Sequence, residues 1–154
     1  MEWHDGLVLL VEDDPNDVLL IQRAWRKANI AAPLQVVADG EAATHYLSGG
    51  GEFADRQRYP LPMLVLLDLK LPRKSGFEVL AWLRQQPILR RLPVVILTSS
   101  SEPEDINRAY ELGANSYLVK PVQFETLQEM MQTVHLYWLV LNEKPQLEDA
   151  SSEA

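Results

Sequence analysis

Cysteine is absent from the chain, which excludes disulfide bonds and thiolate metal sites. The absence suits a reducing compartment, so we expect a cytoplasmic protein. Long apolar runs are missing as well, because none approaches the roughly 20 residues that a membrane-spanning helix needs. Residues Met1 to Asp5 also lack the positively charged region of a secretory signal peptide. We therefore expect neither export nor membrane insertion.

Positive charge is scarce in this sequence. Lys and Arg together number 14, against 22 Asp and Glu, and the net charge is −8. A surface of this sign repels nucleic-acid phosphates and anionic lipid headgroups. The composition therefore predicts that the protein binds neither nucleic acid nor a membrane surface.

The apolar content is sufficient for one compact domain, since 47% of the 154 residues are hydrophobic. Short β-branched apolar runs alternate with longer amphipathic segments, which is typical of parallel strands joined by crossover helices. The sequence thus predicts an α/β fold with a doubly wound, five-stranded parallel sheet. The strands are expected at residues 7–11, 34–38, 63–67, 94–97 and 116–119.

The first helix has the strongest signals. Asp14 and Pro15 form an N-cap followed by a first-turn proline, and Val18, Ile21 and Trp25 recur at helical spacing. Similar spacing predicts helices that begin near residues 77 and 106, and a last helix over 124–138. The apolar stripes of these helices, with Trp25, are expected to face the core.

Two segments look irregular. Residues 48–62 begin with three glycines and continue through charged residues to a proline, which favours a passive surface loop. Residues 142–154 are polar and acidic, so we expect a disordered tail. This tail is too short to form an output domain.

Chemically useful residues stand where the predicted strands end. The first strand runs into Glu12 and Asp13, the third into Asp68, the fourth into Thr98 and Ser99, and the fifth into Lys120 and Pro121. In open parallel sheets, ligands bind beyond these carboxyl ends. Each residue alone has a simpler reading as a helix cap, a strand end or a solvated lysine. Asp14, which precedes Pro15, is interpreted as a cap.

Together these residues are suited to phosphoryl transfer. Clustered carboxylates favour a hard divalent cation such as Mg²⁺ or Mn²⁺. With that charge compensated, Asp68 can attack phosphorus as a nucleophile and form an acyl phosphate. Lys120 and Thr98 can donate to the phosphoryl oxygens, and the small Ser99 leaves room for the incoming group.

In these residues the sequence resembles the receiver domains of two-component response regulators. The matching segments are Val11 to Asp14, Asp68 to Pro72 with Gly76, Leu97 to Ser99, and Tyr117 to Pro121. The resemblance covers a domain from residue 6 to residue 141. It implies a flavodoxin-like sheet of order 2-1-3-4-5 with five helices, and a phosphoacceptor protein that catalyses its own phosphorylation and dephosphorylation rather than a conventional enzyme.

The resemblance also implies a metal set around the phosphoacceptor Asp68. Asp13 matches a direct metal ligand, and Glu12 matches the neighbouring acidic position that often holds the metal through water. Lys70 matches the position whose backbone carbonyl binds the metal. Many family members have two aspartates where this chain has Glu12 and Asp13, and the longer glutamate can change the metal geometry.

A second implied set senses the phosphate. Thr98 and Lys120 match the hydroxyl and the lysine that bind it, and a cis bond is implied between Lys120 and Pro121. Tyr117 matches the aromatic residue that moves inward when the threonine follows the phosphate, although a core tyrosine is an equal alternative. The implied output is a remodelled surface of the fourth helix, fifth strand and fifth helix.

Further features resemble the response regulators that serve cyanobacterial and bacterial phytochromes. They are the long segment before the third strand, the run Glu-Asp-Asp-Pro-Asn-Asp from Glu12, the run Leu-Pro-Arg-Lys-Ser-Gly from Leu71, and the aromatic end of the last helix. The implied partner is a sensor histidine kinase, and the closer resemblance implies a phytochrome.

The run from Leu136 to Leu141 is apolar around a whole helix, more than one buried face requires. We expect a homodimer through this C-terminal face, with Tyr137, Trp138 and Leu141 at its centre. The alternative is that the helix end packs over the core of its own domain.

Three other functions fit the sequence less well. An aspartyl phosphohydrolase carries an Asp-x-Asp motif after its first strand, whereas Lys70 stands two residues after Asp68. A flavodoxin needs a phosphate loop where this chain has Glu12 and Asp13, which would repel the flavin phosphate. A degenerate receiver that acts only as a scaffold is disfavoured by the intact set of site residues.

Overall fold

The structure, a computed structural model, describes residues 6–147. The expectations for residues 1–5 and for residues 148–154 lie outside that range. One parallel sheet forms the centre of the fold. Its strands are β1 (Val8–Val11), β2 (Leu34–Val37), β3 (Leu64–Leu67), β4 (Val94–Thr98) and β5 (Ser116–Val119). Their order is β2-β1-β3-β4-β5, which confirms the predicted fold, and each strand end lies within one residue of its predicted place.

Five α-helices connect or follow the strands, as expected. They are α1 (Pro15–Lys27), α2 (Gly40–Ser48), α3 (Gly76–Arg84), α4 (Pro103–Glu111) and α5 (Phe124–Val134). Asp14 caps α1, since its side chain accepts a hydrogen bond from the Asn16 backbone N–H. The cap interpretation of Asp14 is confirmed.

Alternating side chains along the strands fill two cores, one on each face of the sheet. Leu9 and Val11 of β1 pack on the face covered by α2 and α3. Val8 and Leu10 pack on the opposite face, under α1 and α5. Trp25 of α1 lies in this second core, 4% exposed, as its spacing predicted. Both faces of the sheet are therefore covered, and the carboxyl ends of the strands meet along one rim.

The segment 48–62 is not a passive loop, and that expectation was wrong. Phe53, in a 3₁₀ turn at Gly51–Phe53, is buried and contacts the rings of Tyr46 and Tyr59. The Arg56 guanidinium donates to the backbone carbonyls of Tyr46, Leu47 and Tyr59. Two of these carbonyls belong to the last turn of α2, where backbone carbonyls lack a full set of helical donors, and the contacts fix the segment against the helix.

The C-terminal region also differs from expectation. After α5 the chain continues in π-helical turns, His135–Leu141, rather than as one regular helix. The expected disorder does not begin at residue 142, because Leu147 is buried in the core beside α2 and α3. The carbonyl of Gln146 accepts a hydrogen bond from Arg91. Burial of this leucine contributes about 2 kcal/mol to holding the otherwise polar segment on the domain.

Between residues 6 and 147, no helix has both the length and the apolar character needed to cross a bilayer.

Candidate functional site

The register of the sheet brings the predicted residues together at one rim. Val11 of β1 pairs with Leu67 of β3, and Thr98 of β4 pairs with Val119 of β5. The residues that follow β1, β3 and β5 therefore emerge beside one another and beside Thr98. This is the crevice that doubly wound sheets offer to ligands.

Three carboxylates at this rim form a group able to hold a metal ion. One oxygen each from Glu12, Asp13 and Asp68 lie within 4.8 Å of one another. Glu12 and Asp68 are buried, whereas Asp13 is exposed. An all-oxygen set of this kind, open on one side, suits a small divalent cation that keeps part of its water shell. The sequence predicted all three members.

The position of Asp68 is fixed by its own loop. Its Oδ1 accepts a hydrogen bond of 2.7 Å from the Leu69 backbone N–H. Gly76 opens α3 directly against this turn, since a Cβ on Gly76 would lie 2.1 Å from the Asp68 carbonyl oxygen. Only a glycine permits this approach, so the motif position of Gly76 has a steric reason.

Lys120 joins the site through three carboxylates. Its Nζ lies 2.5 Å from Glu12 Oε1, 2.9 Å from Asp17 Oδ2 and 3.1 Å from Asp68 Oδ2. Sequence reasoning does not single out Asp17, so its part in the site was missed. Its only local signal was a carboxylate in the first turn of α1, which is expected at a helix N-terminus for other reasons.

Burial and ion pairing perturb two of these groups. Burial raises the pKa of Glu12 to about 7, and the hydrogen bond from Lys120 only partly offsets this increase. Burial lowers the pKa of Lys120, but its hydrogen bonds to Glu12 and Asp17 outweigh that effect and leave the pKa above its ordinary value. The ammonium therefore stays charged at neutral pH and compensates part of the crowded negative charge.

Thr98 carries a buried hydroxyl with no internal partner. Its side chain is fully buried, and its Oγ1 makes no hydrogen bond within the described part of the chain. A buried hydroxyl in this state costs free energy, and such groups mark sites where a ligand completes the hydrogen bonding. The next residue, Ser99, is exposed at the rim.

Tyr117 lies on β5 and is partly buried against the core beside α3. Its hydroxyl donates to the Ser100 carbonyl oxygen at 2.9 Å, and the Ser100 hydroxyl donates to Asp105 at 2.6 Å. Tyr117 is thus tied to the loop between β4 and α4. Ser100, which sequence reasoning did not single out, forms that connection.

Lys70 and Pro121 lie in the loops that follow β3 and β5. Lys70 is exposed in the loop after Asp68. Each peptide bond between residues 6 and 147 is trans, including Lys120–Pro121, so the expectation of a cis bond was wrong. The two isomers of a bond to proline differ by only about 1 kcal/mol, and with the trans bond Lys120 already reaches Asp68.

The C-terminal apolar run is divided between the core and the surface. Leu139 is buried and Trp138 is partly buried against the core under α1 and α5. Tyr137 and Leu141 are 52% and 61% exposed. An open groove of about 570 Å³ runs beside them, between the edge strand β5 and α5.

The sequence matches the model of the response regulator receiver domain over residues 8–132. The chain is 40% identical to the probable methanogenesis regulatory protein FilR2 of Methanothrix harundinacea, over 90% of this chain and 87% of that protein. It is 41% identical to the response regulator Rcp1 of Synechocystis sp., over 86% of this chain and 88% of Rcp1.

Solved structures agree with these matches. The phosphorylated cyanobacterial phytochrome response regulator RcpA has a TM-score of 0.84 and 36% identity, over 92% of this chain and 99% of RcpA. The Mn²⁺-bound form of Rcp1 has a TM-score of 0.81 and 40% identity, over 92% of this chain and 99% of that one. This chain therefore belongs to the response regulator receiver domain family of two-component signalling proteins, where it is similar to phytochrome response regulators.

Proposed function

We propose that the protein accepts a phosphoryl group on Asp68 from a sensor histidine kinase. The observation that supports this most directly is the Asp68 carboxylate, which lies 3.1 Å from the Lys120 ammonium within a group of three carboxylates. A nucleophile, a cation and a set of metal ligands are thereby combined in one crevice. No other arrangement among residues 6–147 brings these three elements to a strand exit.

The reaction transfers a phosphoryl group from a histidine of the kinase to Asp68. An oxygen of Asp68 forms a bond to phosphorus as the bond from phosphorus to the donor nitrogen breaks, and the leaving imidazole takes up a proton. The Lys120 ammonium donates to a phosphoryl oxygen. Water later attacks the phosphorus, the bond from phosphorus to the Asp68 oxygen breaks, and the Asp68 carboxylate and inorganic phosphate are released.

Glu12, Asp13 and Asp68 would hold Mg²⁺ or Mn²⁺, with the Lys70 carbonyl as a further ligand. When bound, the cation offsets the negative charge that the carboxylates and the phosphoryl group bring together. The all-oxygen donor set of this chain fits such a cation. The Mn²⁺-bound form of Rcp1 lends further support.

Thr98 and Tyr117 would convert phosphorylation into a change of surface. The Thr98 hydroxyl has no hydrogen-bond partner among the described residues and can donate to a phosphoryl oxygen, which would favour its movement towards Asp68. The space it leaves would let Tyr117 pack further inward and shift the loop of Ser100. The α4, β5 and α5 surface then exists in two states, and phosphorylation selects between them.

The test is covalent labelling. The protein is incubated with Mg²⁺ and a small phosphoryl donor such as acetyl phosphate, and the intact mass is measured. Wild type and Asp14→Asn should gain one phosphoryl group, because asparagine caps a helix as well as aspartate does. Asp68→Asn should gain none, and Asp13→Asn should label slowly.

Equal labelling of wild type and Asp68→Asn would exclude Asp68 as the acceptor. Absence of labelling in every variant, although Mg²⁺ binds, would instead favour the scaffold function.

We propose a bacterial phytochrome as the cognate kinase and the cytoplasm as the site of the exchange. The similarity to RcpA and Rcp1 supports the choice of kinase. Light-dependent loss of phosphate from an autophosphorylated phytochrome, with gain of the same label on this protein, would test it. Transfer that is equally fast from unrelated histidine kinases would count against the specific partner.

We also propose a homodimer through the C-terminal face. Its support is the exposed apolar side chains of Leu136, Tyr137, Val140 and Leu141, beside the groove along β5. Trp138 is only partly exposed and contacts Tyr137 edge-on, with ring centroids 4.9 Å apart. Sedimentation at tens of micromolar should show a dimer that Tyr137→Glu with Leu141→Glu dissociates, and a wild-type monomer under all conditions would refute it.

A further inference from the structure

The Lys120 ammonium has three N–H donors, and each is taken by a different carboxylate. Two of the acceptors, Glu12 and Asp68, belong to the group that can hold a metal ion. The third, Asp17, does not belong to it and accepts its hydrogen bond at 2.9 Å. Asp17 is therefore the one acceptor of Lys120 whose oxygens are free of metal binding and of bond formation to phosphorus.

A lysine needs such an anchor because its four-carbon side chain is flexible and its ammonium is a point charge. With two N–H groups directed to Glu12 and Asp17, the third must point towards Asp68. If Asp68 carries a phosphoryl group, the same N–H meets a phosphoryl oxygen, and the other two contacts persist. The contact with Asp17 thus does not use the N–H group that the phosphoryl oxygen needs.

Asp17 is itself held by a rigid element. It lies in the first turn of α1, and the next turns of this helix are fixed to the sheet by Ile21, Ala24 and Trp25. Its side chain is 34% exposed, whereas that of Lys120 is 12% exposed. The contact connects α1 with the loop that follows β5, which is 103 positions away in the sequence.

We propose that Asp17 is a positioning residue, which holds the Lys120 ammonium against Asp68 for phosphoryl transfer. This role rests on the proposed function of Asp68. Asp17 acts only through Lys120 and does not touch the reacting atoms. Its contribution to the rate is expected to be that of one charge-assisted hydrogen bond to a partly exposed partner.

Three variants distinguish the effect of the Asp17 contact with Lys120 from the effect of one negative charge near the site. Asp17→Ala removes the acceptor and one negative charge. Asp14→Asn removes one negative charge from the same end of α1, keeps the cap and leaves the Lys120 contacts intact. Asp17→Glu restores a carboxylate that can reach the ammonium. Thermal unfolding of each variant verifies that the fold is retained.

The first readout is the ¹H–¹⁵N signal of the Lys120 ammonium, assigned by its loss in Lys120→Arg and recorded without phosphoryl donor. A hydrogen-bonded ammonium exchanges its protons slowly, so the signal should be present in wild type, Asp14→Asn and Asp17→Glu and absent in Asp17→Ala. The second readout is the labelling rate of Asp68 by phosphoramidate with Mg²⁺. It should fall about tenfold in Asp17→Ala, and Asp17→Glu should recover most of it.

Asp17→Ala that keeps both the ammonium signal and the wild-type labelling rate would overturn the positioning role alone. An equal loss of rate in Asp14→Asn would also overturn it, since charge rather than contact would then be the cause. If wild type is not labelled at Asp68 at all, the proposed function fails and the positioning role fails with it. The labelling of wild type therefore distinguishes the two failures.

Discussion

Within the described residues the Thr98 hydroxyl has no hydrogen-bond partner, so its removal should raise the stability of the protein and abolish its response to phosphorylation. Thr98→Val replaces the hydroxyl with a methyl group of nearly the same size at a fully buried position of β4. A buried hydroxyl without a hydrogen bond costs about 1–3 kcal/mol, and valine is at least as favourable in a strand. The unphosphorylated Thr98→Val protein should therefore be more stable than wild type by about 1–3 kcal/mol.

Urea and thermal unfolding without phosphoryl donor measure this difference. In a chain of this size the melting temperature should rise by about 2–4 °C for each kcal/mol gained. Thr98→Ser is the matched control, because it keeps the hydroxyl and loses the methyl group. It should lose about 1 kcal/mol. The two variants thus change stability in opposite directions.

Phosphorylation should reverse the stability advantage of Thr98→Val, because valine lacks the hydroxyl that would donate to a phosphoryl oxygen. The response of the α4 amide signals to phosphorylation should be lost in Thr98→Val and retained in Thr98→Ser. A Thr98→Val protein at least 1 kcal/mol less stable than wild type would refute the reasoning. The Thr98 hydroxyl would then have a stabilising partner in the resting protein.

Three further substitutions test the framework around the site, each by urea unfolding. Arg56→Met should cost about 2–4 kcal/mol, because three backbone carbonyls lose a charged donor; no loss would mean that water replaces the guanidinium. Gly40→Ala should cost about 1–3 kcal/mol, since its Cβ would lie 2.0 Å from the Lys74 carbonyl oxygen, whereas Gly50→Ala, with no contact below 3.6 Å, should cost little. Leu147→Ala should cost about 2 kcal/mol, and an unchanged midpoint would show that this end of the chain is not anchored in solution.

Most of the rim could be predicted from the sequence because its residues follow strands directly. Asp68 comes after the apolar run of β3, and Glu12 and Asp13 come after β1. A buried strand is recognisable from its own residues, and the residue that follows it must emerge at the carboxyl edge of a parallel sheet. Local signals therefore decide both the element and the place of these side chains.

Asp17 and Ser100 were missed because their roles in the site depend on distant contacts and not on the residues beside them. Asp17 has a sufficient local role in the first turn of α1, where a carboxylate interacts favourably with the helix dipole. Ser100 reads as an ordinary loop serine. Their contacts with Lys120 and Tyr117 depend on how distant segments pack, which the local pattern does not contain.

The same distinction explains the two segments that were described wrongly. Residues 48–62 are rich in glycine, proline and charge, and residues 142–147 are mostly polar and include one proline. Such composition predicts irregular backbone. Irregular backbone can still be fixed in place, and a single side chain does so in each case. Arg56 bonds to the end of α2, and Leu147 enters the core.

By itself, the sequence determined the five strand and helix units, the rim where the strands end, and the identity of the reactive set around Asp68, since each depends on neighbouring residues. Only the tertiary structure decided that Asp17 accepts a hydrogen bond from the Lys120 ammonium, that the Thr98 hydroxyl has no partner within residues 6–147, and that both irregular segments are anchored. These features depend on contacts between residues far apart in the chain. Their free energy comes from the packing of the whole domain, which no local segment specifies.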